Sequence, residues 1–138
     1  MVRKSETTII LRRARDFFEN ALQLFDRGKF DLAAFNLEQA LQLLLKYKLL
    51  IEIGDYPKTH SLRRLFRILI DVLNDEALKD FFLKNIDTTG NLESAYIASR
   101  YLPVEFEKKE VENMIKLVKN SFRLLVKGEK TENTLDHQ

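Results

Sequence analysis

One stretch constrains the fold more than any other: between Asp31 and Ile53 the chain is apolar nearly all round a helical wheel. Ala33, Phe35, Leu37, Ala40, Leu41, Leu43, Leu44, Leu45, Tyr47, Leu49, Leu50, Ile51 and Ile53 cover more than one face. A surface helix keeps one apolar stripe, whereas a helix that is apolar on several sides has to be covered on several sides. This segment is therefore expected either at the centre of a bundle or in a subunit interface. With 138 residues, 45% of them hydrophobic, the chain suits a single domain able to bury a core without metals or disulfides.

The flanking segments supply the cover. From Thr8 to Phe25 the positions Ile10, Ala14, Phe17, Ala21 and Phe25 recur at steps of three and four, with Arg12, Arg13, Arg15, Asp16, Glu19 and Gln23 between them. Gly28 is a stop signal, and Asp31 is placed to cap the helix that follows. Gly54 ends the apolar helix before the turn Asp55-Tyr56-Pro57-Lys58-Thr59. A third helix is expected from His60 to Leu73, with Leu62, Leu65, Phe66, Leu69 and Leu73 inward and Arg63, Arg64 and Arg67 as an outward basic stripe. Asn74 or Asp75 then caps a short helix through Leu78, Phe81 and Phe82. Asp87-Thr88-Thr89-Gly90-Asn91 reads as a loop, followed by a short helix with Leu92, Ala95, Tyr96 and Ser99 that stops near Pro103. The last helix, Glu107 to Val126, has Val111, Met114, Ile115, Val118, Phe122 and Leu125 in register, with Gly128 as its stop. Residues 129–138 are polar and expected to be a disordered tail beyond a domain of residues 1–128. No strand pattern competes. The expected fold is all-α: an antiparallel up-and-down helical bundle, a four-helix core with one or two extra short helices.

Several kinds of chemistry are excluded by composition. There are no cysteines, so disulfides, thiolate metal sites and cysteine nucleophiles are impossible, which suits a reducing cytoplasm. The only histidines are His60 and His137, without metal-ligand spacing, and no metal or cofactor is expected. Four glycines cannot write a phosphate-binding loop or a dinucleotide-binding turn, and no Gly-x-Ser-x-Gly elbow occurs. Glu105, Glu107, Glu110 and Glu112 open the last helix, where acids complement the helix dipole. Met1 to Lys4 is basic but runs into Ser5–Thr8 rather than into an apolar segment, and no run is long enough to cross a membrane. The net charge is +2, and residues 1–72 carry 13 basic against 9 acidic side chains, an excess that reads first as ordinary solvated faces and second as a hint of a basic end.

Arg27-Gly28-Lys29-Phe30-Asp31-Leu32-Ala33, running on to Gln39-Ala40-Leu41, looks like half of a tetratricopeptide repeat, but no second copy follows at a period near 34 residues. It is one helical hairpin. Together with two later motifs, that hairpin resembles the HEPN family (higher eukaryotes and prokaryotes nucleotide-binding). The first motif is Gly28-Lys29-Phe30, then Ala33-Ala34-Phe35 through Gln39-Ala40, leading into Leu44-Leu45-Lys46. The second is Pro57-Lys58-Thr59-His60-Ser61-Leu62, and the third is Tyr96-Ile97-Ala98-Ser99-Arg100-Tyr101-Leu102-Pro103. The three stand in family order over residues 14–125. Leu102 is an extra residue where many relatives have Arg-Tyr-Pro directly. The Arg-x(4–6)-His motif of the family's ribonucleases is missing: positions 53 to 55 before His60 are Ile53, Gly54 and Asp55, and positions 130 to 132 before His137 are Lys130, Thr131 and Glu132.

The resemblance implies a helical bundle, usually homodimeric, often encoded beside a minimal nucleotidyltransferase with which it forms a complex. On that basis the expected function is a non-catalytic interaction module in a toxin–antitoxin-like system, binding that partner and a nucleotide or RNA. The alternative is a metal-independent ribonuclease with atypical catalytic residues. No catalytic residue is assigned. The expected ligand-binding residues are Arg100, His60, Arg63, Arg64, Tyr96, Tyr101, Gln39 and Lys46. Arg100 either pairs with a buried carboxylate such as Glu38 or binds phosphate. His60 either closes the turn after Pro57 or touches a ligand, and Arg63 and Arg64 are either solvated or face an anion at a helix start. Gln39 and Lys46 are seven residues apart on one helix face and share a groove with Arg100 if the helices pack as in the family.

Overall fold

A computed structural model describes residues 4–103 and 105–126 as six helices in chain order. They are α1 (Lys4–Asp26), α2 (Phe30–Ile53), α3 (Leu62–Leu73), α4 (Glu76–Lys84), α5 (Ile86–Tyr101) and α6 (Lys108–Leu125). No strand occurs among the described residues, and no helix there is long and apolar enough to cross a membrane. Gly128 and the expected tail from Glu129 to Gln138 lie outside the described residues.

The apolar helix is the axis of the bundle. α2 packs against α1, α3, α5 and α6, and Ala33, Ala34, Leu37, Ala40, Leu41, Leu44, Leu45 and Leu49 are wholly buried. Its hydrophobic excess is therefore core, with Leu32, Ile51 and Ile53 left exposed near its two ends. α1 and α2 form an antiparallel hairpin through Arg27–Lys29, in which Gly28 takes the left-handed conformation (φ 75°) that a side chain would resist. Along the α1–α2 seam Ala14 and Ala21 meet a helix whose own Ala33, Ala34 and Ala40 are wholly buried, and such small residues allow close backbone approach.

This close approach corrects the expected face of α1. The helix begins at Lys4, not Thr8, and its most buried positions are Leu11, Ala14, Phe18 and Ala21, while Ile10, Phe17 and Phe25 are only half-buried. Phe18 is the deep aromatic because it meets Phe122 of α6 at 5.7 Å.

Capping explains most of the boundaries. Gly54, with φ 77°, returns its N–H to Leu50 O and ends α2. Ser61 is the N-cap of α3, its Oγ accepting from Arg64 N at 3.2 Å, so α3 starts at Leu62 and His60 stands outside it. Asn74 closes α3 in the left-handed region, and Asp75 caps α4 by accepting from Leu78 N at 3.1 Å. Asp31 does not cap α2: the N-cap is Lys29, and Asp31 Oδ1 accepts instead from Phe106 N at 2.8 Å, tying the start of α2 to the link between α5 and α6. Glu107 and Glu110 form a reciprocal capping box at α6, which gives that acidic cluster a structural task. Within α6, Ile115 is half-buried, and Leu117 and Ser121 join the core instead.

The largest departure from expectation is Asp87–Asn91, which is not a loop but the first turns of a sixteen-residue α5. Thr89 is wholly buried, and its hydroxyl donates to Asn85 O at 2.7 Å, so a residue typical of loops serves as helix core. Asn91 donates to Glu110 at 3.1 Å and links α5 to α6. Thr89, Leu92, Ala95 and Ala98 recur every third residue on the buried face. The helix ends at Leu102, held extended beside Pro103 as a residue before proline prefers.

Candidate functional site

α2 carries three polar residues one turn apart, Glu38, Gln42 and Lys46, set among its buried leucines and alanines. The Glu38 carboxylate is wholly buried and accepts from Gln39 Nε2 at 2.7 Å and Gln42 Nε2 at 2.9 Å. Burial pushes its pKa up to about 7, against the opposing effect of those two amides and the Lys46 charge. Lys46 donates to Gln42 Oε1 at 3.1 Å and lies 5.2 Å from the centre of the Tyr56 ring. Its own burial lowers the ammonium pKa, partly offset by Glu38.

The row continues to the surface through His60, whose Nδ1 is 3.2 Å from Gln42 Oε1. The imidazole is stacked on Tyr96 of α5, with ring centres 4.7 Å apart and planes 18° from parallel. Four residues on, the Arg100 guanidinium lies 4.9 Å from the Tyr96 ring, 4.9 Å from Tyr101 and 5.2 Å from Phe35. Its Nε donates to Tyr96 O at 3.2 Å, and the side chain is exposed. Contacts of a cation with aromatic faces hold it in place without neutralising it. Among the described residues Arg100 forms no ion pair. Of the two alternatives for Arg100, the pairing with Glu38 does not form: Gln39 and Gln42 engage the two carboxylate oxygens, and Arg100 lies over the aromatic rings instead.

The start of α3 has a different character. Glu93, one turn before Tyr96 on α5, accepts from Arg63 N at 3.1 Å, from Ser61 Oγ at 2.9 Å and from Arg63 Nη2 at 3.1 Å. Partial burial raises the Glu93 pKa, but these bonds and the Arg63 charge outweigh it, so the carboxyl is held below its ordinary value. A protein carboxylate thus sits on the Arg63 amide in the first turn of α3 and takes the Arg63 guanidinium with it. Arg64 contributes its backbone N–H to Ser61, while its side chain is exposed away from these contacts. Between α3 and α5 lies an open cleft of about 380 Å³ lined by His60, Ser61, Arg63, Gly90, Glu93, Ser94, Tyr96 and Ile97.

Of the residues expected from sequence, His60, Tyr96, Arg100 and Tyr101 form one continuous ledge, and Gln39 and Lys46 support it from beneath through Glu38 and Gln42. Arg63 lines the cleft already paired, and Arg64 stays apart. Sequence reading missed Gln42, Glu93 and Phe35. The signal for Gln42 was present: polar residues at 38, 42 and 46 interrupt an apolar helix at one-turn intervals. Glu93 is likewise three and seven residues before Tyr96 and Arg100 on one face of α5. No group of His, Asp and Glu among the described residues could hold a metal ion.

A family model described as HEPN domain matches residues 7–129. No curated protein matches the chain.

Proposed function

The chain belongs to the HEPN domain family, and from that premise we propose that it is a non-catalytic, homodimeric interaction module whose Arg100 ledge holds a nucleotide, free or as part of an RNA. The partner in this reading is a minimal nucleotidyltransferase, in a toxin–antitoxin-like pairing in the cytoplasm. The observation that carries the ligand assignment is the state of Arg100: an exposed guanidinium bracketed by Phe35, Tyr96 and Tyr101 and, among the described residues, paired with no carboxylate. Such a cation offers a planar fork to phosphate. Tyr101, 70% exposed, and the stacked His60–Tyr96 pair offer faces to a base. The non-catalytic reading is supported by the missing Arg-x(4–6)-His motif and by Arg63, which lines the His60 cleft with its guanidinium engaged by Glu93.

Titration with adenosine monophosphate, with and without Arg100→Gln, tests the assignment. The substitution is expected to weaken binding about 10- to 100-fold, the worth of a charged hydrogen bond, at an unchanged melting temperature. A large fall in melting temperature with binding intact in the folded protein would make Arg100 a structural residue and remove the site.

A further inference from the structure

Gln42 joins the buried carboxylate of α2 to the exposed histidine of the cleft, and its amide satisfies its neighbours in only one orientation. Nε2 donates to Glu38 Oε2 at 2.9 Å, and Oε1 accepts from Lys46 Nζ at 3.1 Å. Turning the amide over would aim an N–H at an ammonium and a carbonyl at a carboxylate, losing both bonds in a side chain that is almost fully buried. The same Oε1 is 3.2 Å from His60 Nδ1. A carbonyl oxygen only accepts, so Nδ1 must carry the hydrogen. In the neutral ring the lone pair then belongs to Nε2, on the edge remote from Gln42. Stacking on Tyr96 holds the imidazole plane, and both rings line the cleft.

We infer that Gln42, itself oriented by Glu38 and Lys46, is a positioning residue that fixes His60 as its Nδ1–H tautomer, so that Nε2 accepts a hydrogen bond from an N–H of the ligand. Resting on the nucleotide reading above, this adds a specificity: the cleft takes a base that presents an amino group, with Arg100 receiving the phosphate. A ring that offers only acceptors at that edge meets the Nε2 lone pair and is disfavoured.

The tautomer is tested in the free full-length chain, independently of any ligand. Two-bond proton–nitrogen correlation of the labelled imidazole at pH 8.5, in a His137→Gln background that leaves His60 as the sole histidine, is expected to show Nδ1 protonated and Nε2 bare. Gln42→Met, which keeps the length but removes the acceptor, is expected to return the ring to the Nε2–H form. If that variant does not fold, Gln42→Asn, too short to reach both Glu38 and His60, gives the same readout. An Nε2–H ring in the parent, or an unchanged Nδ1–H ring in the variant, overturns the role of Gln42. The specificity is tested by comparing adenosine monophosphate with purine riboside monophosphate, which lacks the amino group. The parent should prefer the former about tenfold, one hydrogen bond's worth, and His60→Phe should abolish the preference. Equal binding by the parent overturns the acceptor role. Binding of neither nucleotide overturns the ligand assignment and the functional reading it rests on, and the tautomer result is judged separately by the spectrum.

Discussion

Glu38 is buried and, among the described residues, forms no direct ion pair, and the cost has a definite sign. Its carboxyl pKa is raised from 4.5 to about 7, with desolvation as the main cause. Below about 4.5 the group is neutral in both folded and unfolded chains and costs nothing. As pH rises from there through 7 the unfolded chain ionises more readily, so stability falls, and above 7 the loss levels off. At about 1.4 kcal/mol per pKa unit the full effect is roughly 3 kcal/mol. Glu38→Gln removes the titration while keeping the shape. The melting temperature of the variant relative to the parent is expected to rise between pH 5 and pH 8, followed by circular dichroism. A difference that does not change with pH would show that Glu38 is not the titrating group. The ionised carboxylate lowers stability where it stands, and it holds the Gln42 amide beneath His60.

At the scale of elements, the packing of α2 was legible because a helix apolar on several sides has one economical location. The Gly54 stop and the order of the helices followed from equally local chemistry. Two features were not legible. The buried face of α1 keeps the expected Ala14 and Ala21 but takes Leu11 and Phe18 in place of Ile10 and Phe17, and periodicity alone does not separate neighbouring apolar positions. The start of α5 was hidden because Thr88, Thr89, Gly90 and Asn91 all favour turns in isolation. Tertiary contacts override that preference: Thr89 is wholly buried and Asn91 is tied to Glu110. Gly90 lacks a positive φ, and an added Cβ would lie 3.6 Å from Arg63 Nη1, an ordinary contact. Gly90→Ala should therefore stabilise the chain by about 0.5–1 kcal/mol. Chemical denaturation measures this, and a destabilised variant would mean that the cleft floor needs the missing methyl. The candidate site was half legible for a related reason. Motif residues such as Arg100 and His60 stood out, and spacing marked Gln42 and Glu93 as polar positions, but the partners of these two come within reach only once α3 and α5 lie against α2.

At the scale of the whole molecule, the core absorbs most of the apolar surface of α2, and what the first hairpin leaves outside is Ile9, Leu32, Ile51 and Ile53, each more than a third exposed. A homodimer seated on this hairpin would cover them, as stable dimers cover apolar surface. Sedimentation equilibrium at micromolar concentration should report two subunits, and a monomer of 16.3 kDa would contradict the homodimer. The role proposed for the Arg100 ledge is to bind nucleotide without cleaving RNA. It is tested most directly by backbone and side-chain chemical-shift mapping during titration with a short single-stranded RNA, the same sample then run on a denaturing gel. Shifts are expected to concentrate at Phe35, His60, Tyr96, Arg100 and Tyr101, with the RNA intact. Shifts confined to other faces of the bundle, or RNA shortened in a way that Arg100→Gln abolishes, would contradict it.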